Sequence, residues 1–338
     1  MSRMLDEARE APAAVARQLG EDRDRWHAFG ARLRAEPPTS LLTIARGSSD
    51  HAAHYAAYLI MARLGRLVTS MPMSLVTLYH SEIRSEGLAS FAFSQSGQSP
   101  DLVGPTEYFR RHGAVTCAFV NDPDSPLARA AEWMFCLHAG QETSVAATKS
   151  FIATLAALLR LTAEWAENDA LAAAIARLPQ RLQAAADLDW SASFGAFAPA
   201  PSLMVIGRGS TLAIAREAAL KLKETCNIHA EGYSGAEFQH GPMALVAANY
   251  PILMFMPADA AKDALVALAA DLRRKHAALF SVEPGAGEGR LPALPPDQPE
   301  TDAVCQIQSF YAAAVRLAKL RGVDADRPRH LNKVTRTR

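Results

Sequence analysis

Short apolar runs alternate along this chain with longer stretches in which apolar residues recur every three or four positions. The runs Leu41–Ala45, Leu67–Ser70, Leu88–Phe93, Ala114–Val120 and Trp133–Leu137 predict strands. The stretches Ala52–Leu64, Leu102–His112 and Thr148–Ala166 predict helices between and after them. Residues 3–35 read as a helical arm, with Leu5, Ala8, Ala13, Val15 and Leu19 on the apolar positions and Pro37-Pro38 as its stop. Strands alternating with helices imply a parallel sheet covered on both faces. An Ala-rich helical connection at 168–200 ends in the loop FGAFAPAPS, and then the pattern restarts. A strand at Leu203–Ile206 leads to the helix Ala213–Cys226, the strand Ile252–Met256, the helix Asp259–His276 and the strand Ala278–Val282. Glu283–Pro299 is rich in Pro and Gly and predicts a loop, and Asp302–Arg321 predicts a closing helix.

The restart is a repeat. Leu203-Met204-Val205-Ile206-Gly207-Arg208-Gly209-Ser210-Thr211 mirrors Leu41-Leu42-Thr43-Ile44-Ala45-Arg46-Gly47-Ser48-Ser49 at an offset of 162 residues, with Arg-Gly-Ser in register. Two fused copies of one domain are the expectation. The sharpest local feature lies in the first copy. The run Leu88–Phe93 breaks into Ser94-Gln95-Ser96-Gly97, and Pro100 opens a helix. Ligands of open parallel sheets bind beyond the carboxyl ends of the strands. Hydroxyls, free backbone N–H groups and a helix N-terminus there suit a dianion, and an ordinary polar turn fits the same spacing. The turn Gly47-Ser48-Ser49 falls at the same end.

Composition narrows the class. The 338 residues are 49% hydrophobic, and 35 basic residues balance 35 acidic ones. That fits a globular enzyme or binding protein and gives no footing for nucleic acid. The charged start MSRMLDEAREAPAA is unlike a signal peptide, no stretch is long and apolar enough to span a membrane, and a cytoplasmic protein is expected. Cys117, Cys136, Cys226 and Cys305 show no paired spacing and read as buried thiols, not a disulfide frame or a metal site.

Candidate chemistry sits in the second copy. Glu217, Lys221 and Glu224 share one helix face. A solvated salt-bridge stripe has this spacing, but Ala218, Ala219, Leu220 and Leu222 make the helix mostly apolar. A carboxylate beside a lysine there could move protons between carbons, and partial burial would raise its pKa toward the working range. Downstream, IHAEGYSGAEFQHGPMALV (228–246) ends its polar part in His240-Gly241-Pro242, a fixed turn suited to an acid/base histidine. No zinc spacing, P-loop, GxGxxG or GxSxG pattern is present, and Lys333 stands in the tail HLNKVTRTR.

The segments ARGSSDHA (45–52), SQSGQSPD (94–101), VAATKSF (145–151), EAALKLKETCNIHAE (217–231), EFQHGP (237–242) and DRPRHLNKVT (326–335) together resemble the sugar isomerase (SIS) family. The likeness is to the isomerase half of glucosamine-6-phosphate synthase and to SIS-type glucosamine-6-phosphate deaminases, over roughly residues 40–338. The resemblance implies two flavodoxin-like five-stranded parallel sheets wrapped by helices. It divides the chain into an arm (1–36), a first SIS domain (37–167), a connection (168–200), a second SIS domain (201–322) and an active-site tail (323–338). It implies that Gly47, Ser48, Ser49, Ser94, Gln95, Ser96 and Ser99 hold the sugar and its phosphate, and that Val145 lines the pocket through its backbone. It makes Glu224 the base between C1 and C2, Lys221 and Glu217 its supports, His240 the ring-opening acid/base from a neighbouring subunit, and Lys333 the lysine at the open-chain carbonyl. A homodimer follows, and neither metal nor organic cofactor.

The synthase carries a glutaminase domain with a terminal cysteine, whereas here a helical arm precedes the first copy and Ser2 follows Met1. The expected reaction is therefore glucosamine 6-phosphate to fructose 6-phosphate and ammonia. A fructosamine-6-phosphate deglycase or another amino-sugar phosphate isomerase would use the same groups. A non-catalytic sugar-phosphate sensor would need the cradle without the base.

Overall fold

The computed structural model describes residues 2–333. The chain forms two compact units. One is built from Ala13–Glu142 and Lys149–Ala176 together with Asn332 and Lys333; the other holds the residues through Pro12, Thr143–Thr148 and Arg177–Leu331.

In the unit built on Ala13–Glu142, β1 (Ser40–Ile44), β2 (Val68–Ser70), β3 (Leu88–Ser94), β4 (Val115–Val120) and β5 (Trp133–Cys136) pair in parallel in the order β2-β1-β3-β4-β5. The predicted strands are all there, and Ser94 is the last residue of β3 rather than the first of its turn. The arm is three helices, Arg3–Arg9, Ala11–Gly20 and Arg23–Ala35. The third belongs to the core of this sheet. Trp26 stacks on Phe135 with ring centroids 3.9 Å apart, and Phe29 meets Phe91, Trp133 and Phe135. Burying such side chains contributes about 1.5–3 kcal/mol each. The long helix Lys149–Ala166 is buried along nearly its whole length, and its Arg160 guanidinium lies 5.0 Å over the Trp26 ring.

The other unit repeats the topology. β6 (Ser202–Gly207), β7 (His229–Ser234), β8 (Pro251–Phe255), β9 (Ala278–Val282) and β10 (Arg290–Leu291) form a second all-parallel sheet in the order β7-β6-β8-β9-β10. Read in chain order, both sheets have the flavodoxin-like arrangement 2-1-3-4-5. The fold expected from the repeat is therefore observed.

Three local readings are corrected. The segment 228–246 contains β7, an edge strand with one partner and half-exposed polar residues, so it lacks the apolar run that marks the others. Gly232 lets the helix Thr211–Cys226 cross it closely, because a Cβ there would lie 2.7 Å from the Arg216 Cα. The loop predicted at 283–299 contains the two residues of β10, held by β9 alone. The loop FGAFAPAPS begins with a helical turn, Phe194–Phe197.

Candidate active site

The two hydroxyl-rich turns of the first sheet leave adjacent strands. β1 and β3 are neighbours, and the strand order reverses direction between them, which is where doubly wound sheets open a crevice at their carboxyl ends. The first turn carries Gly47 at φ +57° and ψ −132°, and Ser48 starts a helix to Leu64. In the second turn the Ser94 hydroxyl accepts the Gly97 N–H at 3.0 Å and the Ser96 hydroxyl accepts the Gln98 N–H at 3.4 Å. Ser99 is the N-cap of the helix Pro100–Arg111. Gln95, Ser96 and Ser99 are half-buried, as are Ser48 and Ser49. An ion pair ties the turns together: Arg46 Nε donates to Asp101 Oδ2 at 3.1 Å, and Asp101 is 2% exposed. The structure thus brings Ser48, Ser49 and Ser94–Ser99 to one edge, at the start of two long helices whose dipoles favour an anion.

Gly97 is fixed in this arrangement. Its φ is +62°, and a Cβ would lie 2.2 Å from Ser125 Oγ and 2.5 Å from Ser125 Cβ. Ser125 is buried and caps the helix Pro126–Ala130 by accepting the Ala128 N–H. Gly97→Ala must displace that cap and strain its own backbone. It is expected to cost about 1–3 kcal/mol, read as a lower melting temperature, and to weaken sugar-phosphate binding by displacing the turn.

The repeated Arg-Gly-Ser turn of the second sheet does not form a matching cradle. Ser210 and Thr211 are each 1% exposed. The Thr211 hydroxyl donates toward Phe255 O at the end of β8 and accepts the Arg208 N–H, both at 3.0 Å. Gly207 permits the closure, since a Cβ there would lie 2.3 Å from Thr211 O. The first copy has Ala45 at the equivalent position, so its turn cannot close in the same way.

The residues expected to do acid–base work, Glu217, Lys221, Glu224 and His240, lie in the unit of the second sheet. Glu217, Lys221 and Glu224 do share a face of the helix Thr211–Cys226, and that face is not solvated. The Glu217 side chain is 0% exposed and that of Lys221 1%. Lys221 Nζ lies 3.5 Å from Glu217 Oε1 and forms a short ion pair with Glu224, whose side chain is 19% exposed. Burial alone would depress the Lys221 ammonium, but the charges of Glu217 and Glu224 outweigh it and raise its pKa. The result is a charged, buried lysine with one buried carboxylate behind it and one carboxylate open in front. His240 stands on an exposed turn after the short helix Gly235–Phe238, its N–H donating to Glu237 O at 2.9 Å.

Val145 sits half-buried in an irregular segment that the N-terminal arm holds. The buried Glu7 carboxylate accepts the Thr143 hydroxyl at 3.0 Å and the backbone N–H groups of Thr143 and Ser144. In the unit of the first sheet, the buried Glu142 carboxylate accepts the Ser150 N–H at 3.1 Å and meets Lys333 Nζ at 3.2 Å. Val334 and Thr335, the end of the tail motif, lie outside the described residues. Arg46, Asp101, Glu7 and Glu142 were not singled out from the sequence. Arg46 and Asp101 were there only as members of the segments ARGSSDHA and SQSGQSPD, and Glu7 and Glu142 lie outside every motif.

All four thiols are pushed upward by burial, Cys226 to about 11 and Cys305 to about 12, so none is activated as a nucleophile. Among the described residues no group of three His, Cys, Asp or Glu is arranged to hold a metal, and no helix is long and apolar enough to cross a membrane.

The SIS domain family model matches residues 36–163 and 196–282. A glutamine–fructose-6-phosphate aminotransferase (isomerizing) of Zymomonas mobilis subsp. mobilis is 32% identical over 308 residues, covering 86% of this chain and 51% of that protein. The chain thus spans about half the length of the curated relatives it matches. Among solved structures, the "putative phosphosugar isomerase" of Silicibacter pomeroyi DSS-3 is 40% identical with a TM-score of 0.92, over 96% of this chain and 100% of that one. The C-terminal domain of glucosamine-fructose-6-phosphate aminotransferase from Francisella tularensis is 26% identical with a TM-score of 0.85, over 97% and 98% of the two chains.

Proposed function

Since this chain belongs to the SIS domain family, we propose that it is a phosphosugar isomerase-type enzyme that converts glucosamine 6-phosphate and water to fructose 6-phosphate and ammonia. The observation that carries the reading is the buried Lys221 between Glu217 and Glu224, which leaves a single carboxylate open to a substrate. A sequestered charge cluster of this kind is costly to bury, and a module that only binds has no need of one. The relatives' names supply the substrate class, an amino-sugar or ketose 6-phosphate.

In this reading Ser94, Gln95, Ser96 and Ser99 grip the phosphate, and Ser48 and Ser49 take sugar hydroxyls. His240 opens the pyranose. Glu224 removes the proton from C2 of the open-chain aldose and returns it at C1, giving a C2 imine that water hydrolyses to the ketone and ammonia. Lys221 keeps a positive charge beside Glu224 before the transfer, and Lys333 donates to the oxygen of the open-chain carbonyl. A homodimer belongs to the same reading, with His240 on its exposed turn serving the partner's substrate. Release of ammonia from glutamine has no part in it, in keeping with four thiols pushed up by burial.

The test is incubation with glucosamine 6-phosphate in the absence of glutamine, assaying both products. Equimolar ammonia and fructose 6-phosphate are expected. Aldose–ketose exchange on other sugar phosphates without ammonia would replace the deaminase by a plain isomerase. Ammonia-free cleavage of 6-phosphorylated fructosamines would make it a deglycase.

A further inference from the structure

The second sheet has a cavity of its own, independent of the groups used above. It is a cleft of about 190 Å³ outside the carboxyl ends of β8 and β9, in the unit of that sheet. One wall is the strand ends, with Met256. Another is the first turns of the helix Pro299–Leu320, which contributes Asp302 and Gln306 at a spacing of four. Arg181 closes the back, its guanidinium donating to Asp302 Oδ1 at 2.8 Å and to Pro295 O at 2.8 Å. The exposed Ala258 and Lys262 form the rim.

Several features mark this as more than a packing gap. It lies at the end of the sheet where doubly wound folds take ligands. Gln306 is 8% exposed, its amide N–H donates to Met256 O at 2.8 Å, and its Oε1 is buried with no hydrogen-bond partner. A buried acceptor left without a donor is uncommon in a finished structure. Burial also pushes Asp302 up to about 6 in spite of the Arg181 charge, the kind of perturbation that gathers in ligand sites.

The lining specifies the ligand. Arg181 and Lys262 are balanced by Asp302 and Glu283, so neither a polyanion nor a polycation is favoured. The Arg181 guanidinium and the Gln306 amide belong to the same lining, with Arg181 Nε and Gln306 Oε1 both lacking a partner, and the group that serves a donor and an acceptor at once is a hydroxyl. Met256 and Leu294 offer apolar surface to the C–H face of a ring or chain. The volume lies below the ~300 Å³ at which drug-sized sites begin. We propose that this cavity is a second binding site, for a small polyhydroxylated molecule of monosaccharide size or less.

Calorimetric titration of the full chain with fructose and, separately, with fructose 6-phosphate tests it. The expected result is one fructose and two fructose 6-phosphates per chain. Ala258→Phe, on the rim, is expected to abolish fructose binding and reduce fructose 6-phosphate to one per chain, with turnover of glucosamine 6-phosphate unchanged. Lys262→Ser is expected to leave fructose binding intact and weaken the second phosphate event about 3-fold, the value of one exposed charge contact. That pattern assigns the rim to a phosphorylated ligand; indifference of both events to Lys262→Ser assigns it to a free sugar. One fructose 6-phosphate per chain and no heat with fructose would overturn the site, as would a second event that survives Ala258→Phe. Two events in a chain without turnover would uphold this site and remove the catalytic reading instead.

Discussion

Replacing Glu224 with Gln is expected to lower kcat on glucosamine 6-phosphate by at least about 10²-fold, the lower end for loss of a positioned general base. The fold should tolerate the change. Glu224 is partly exposed, the amide oxygen of Gln still accepts from Lys221, and Lys221 keeps Glu217 3.5 Å away. KM is expected to move little, because the phosphate grip assigned to Ser94–Ser99 belongs to another part of the chain. A fall in kcat without a rise in KM marks a group that acts in the transition state. Turnover close to that of the unaltered protein would remove Glu224 from the mechanism. A large rise in KM with kcat preserved would make it a binding residue.

Lys221→Met should have the largest effect on stability, about 3–5 kcal/mol, the usual cost of removing one partner from a buried ion pair. Methionine fills the space but leaves the 0%-exposed Glu217 without its ammonium. The loss is read by denaturant or thermal unfolding. Glu217→Gln combined with Lys221→Met should recover part of it, since the two changes remove one interaction. No recovery in the double variant would contradict the pairing.

Elements with an apolar run between polar turns were legible in the sequence: β1, β3, β4, β6 and β8 each bury almost every residue, so hydrophobicity alone marks them. β7 was not, because an edge strand satisfies its backbone with one neighbour and needs no apolar run. The order of the two sheets followed from the Arg-Gly-Ser repeat, but the unequal fate of the two turns did not. It depends on one methyl group, present at Ala45 and missing at Gly207, whose consequence appears only when Thr211 folds back on it. The face shared by Glu217, Lys221 and Glu224 was legible from helical spacing, whereas its burial was not, because spacing says which residues share a face and not what covers it. Arg46–Asp101 and Glu7–Thr143 were beyond reach, because pairs 55 and 136 positions apart leave no local pattern.

The arm also sets an order of events during synthesis. Asp326 accepts the Ser2 hydroxyl and the N–H groups of Arg3 and Met4, and Gln308 donates to Ala8 O, a partner made 300 residues later. At ribosomal speeds of about 5–20 residues per second, the helix Arg3–Arg9 is finished roughly 15–60 s before those partners emerge. Until then the backbone of Arg3, Met4 and Ala8 lacks these partners, whereas Glu7 gains Thr143 and Ser144 earlier in synthesis. The helix Arg3–Arg9 is thus made well before the partners that complete its docking.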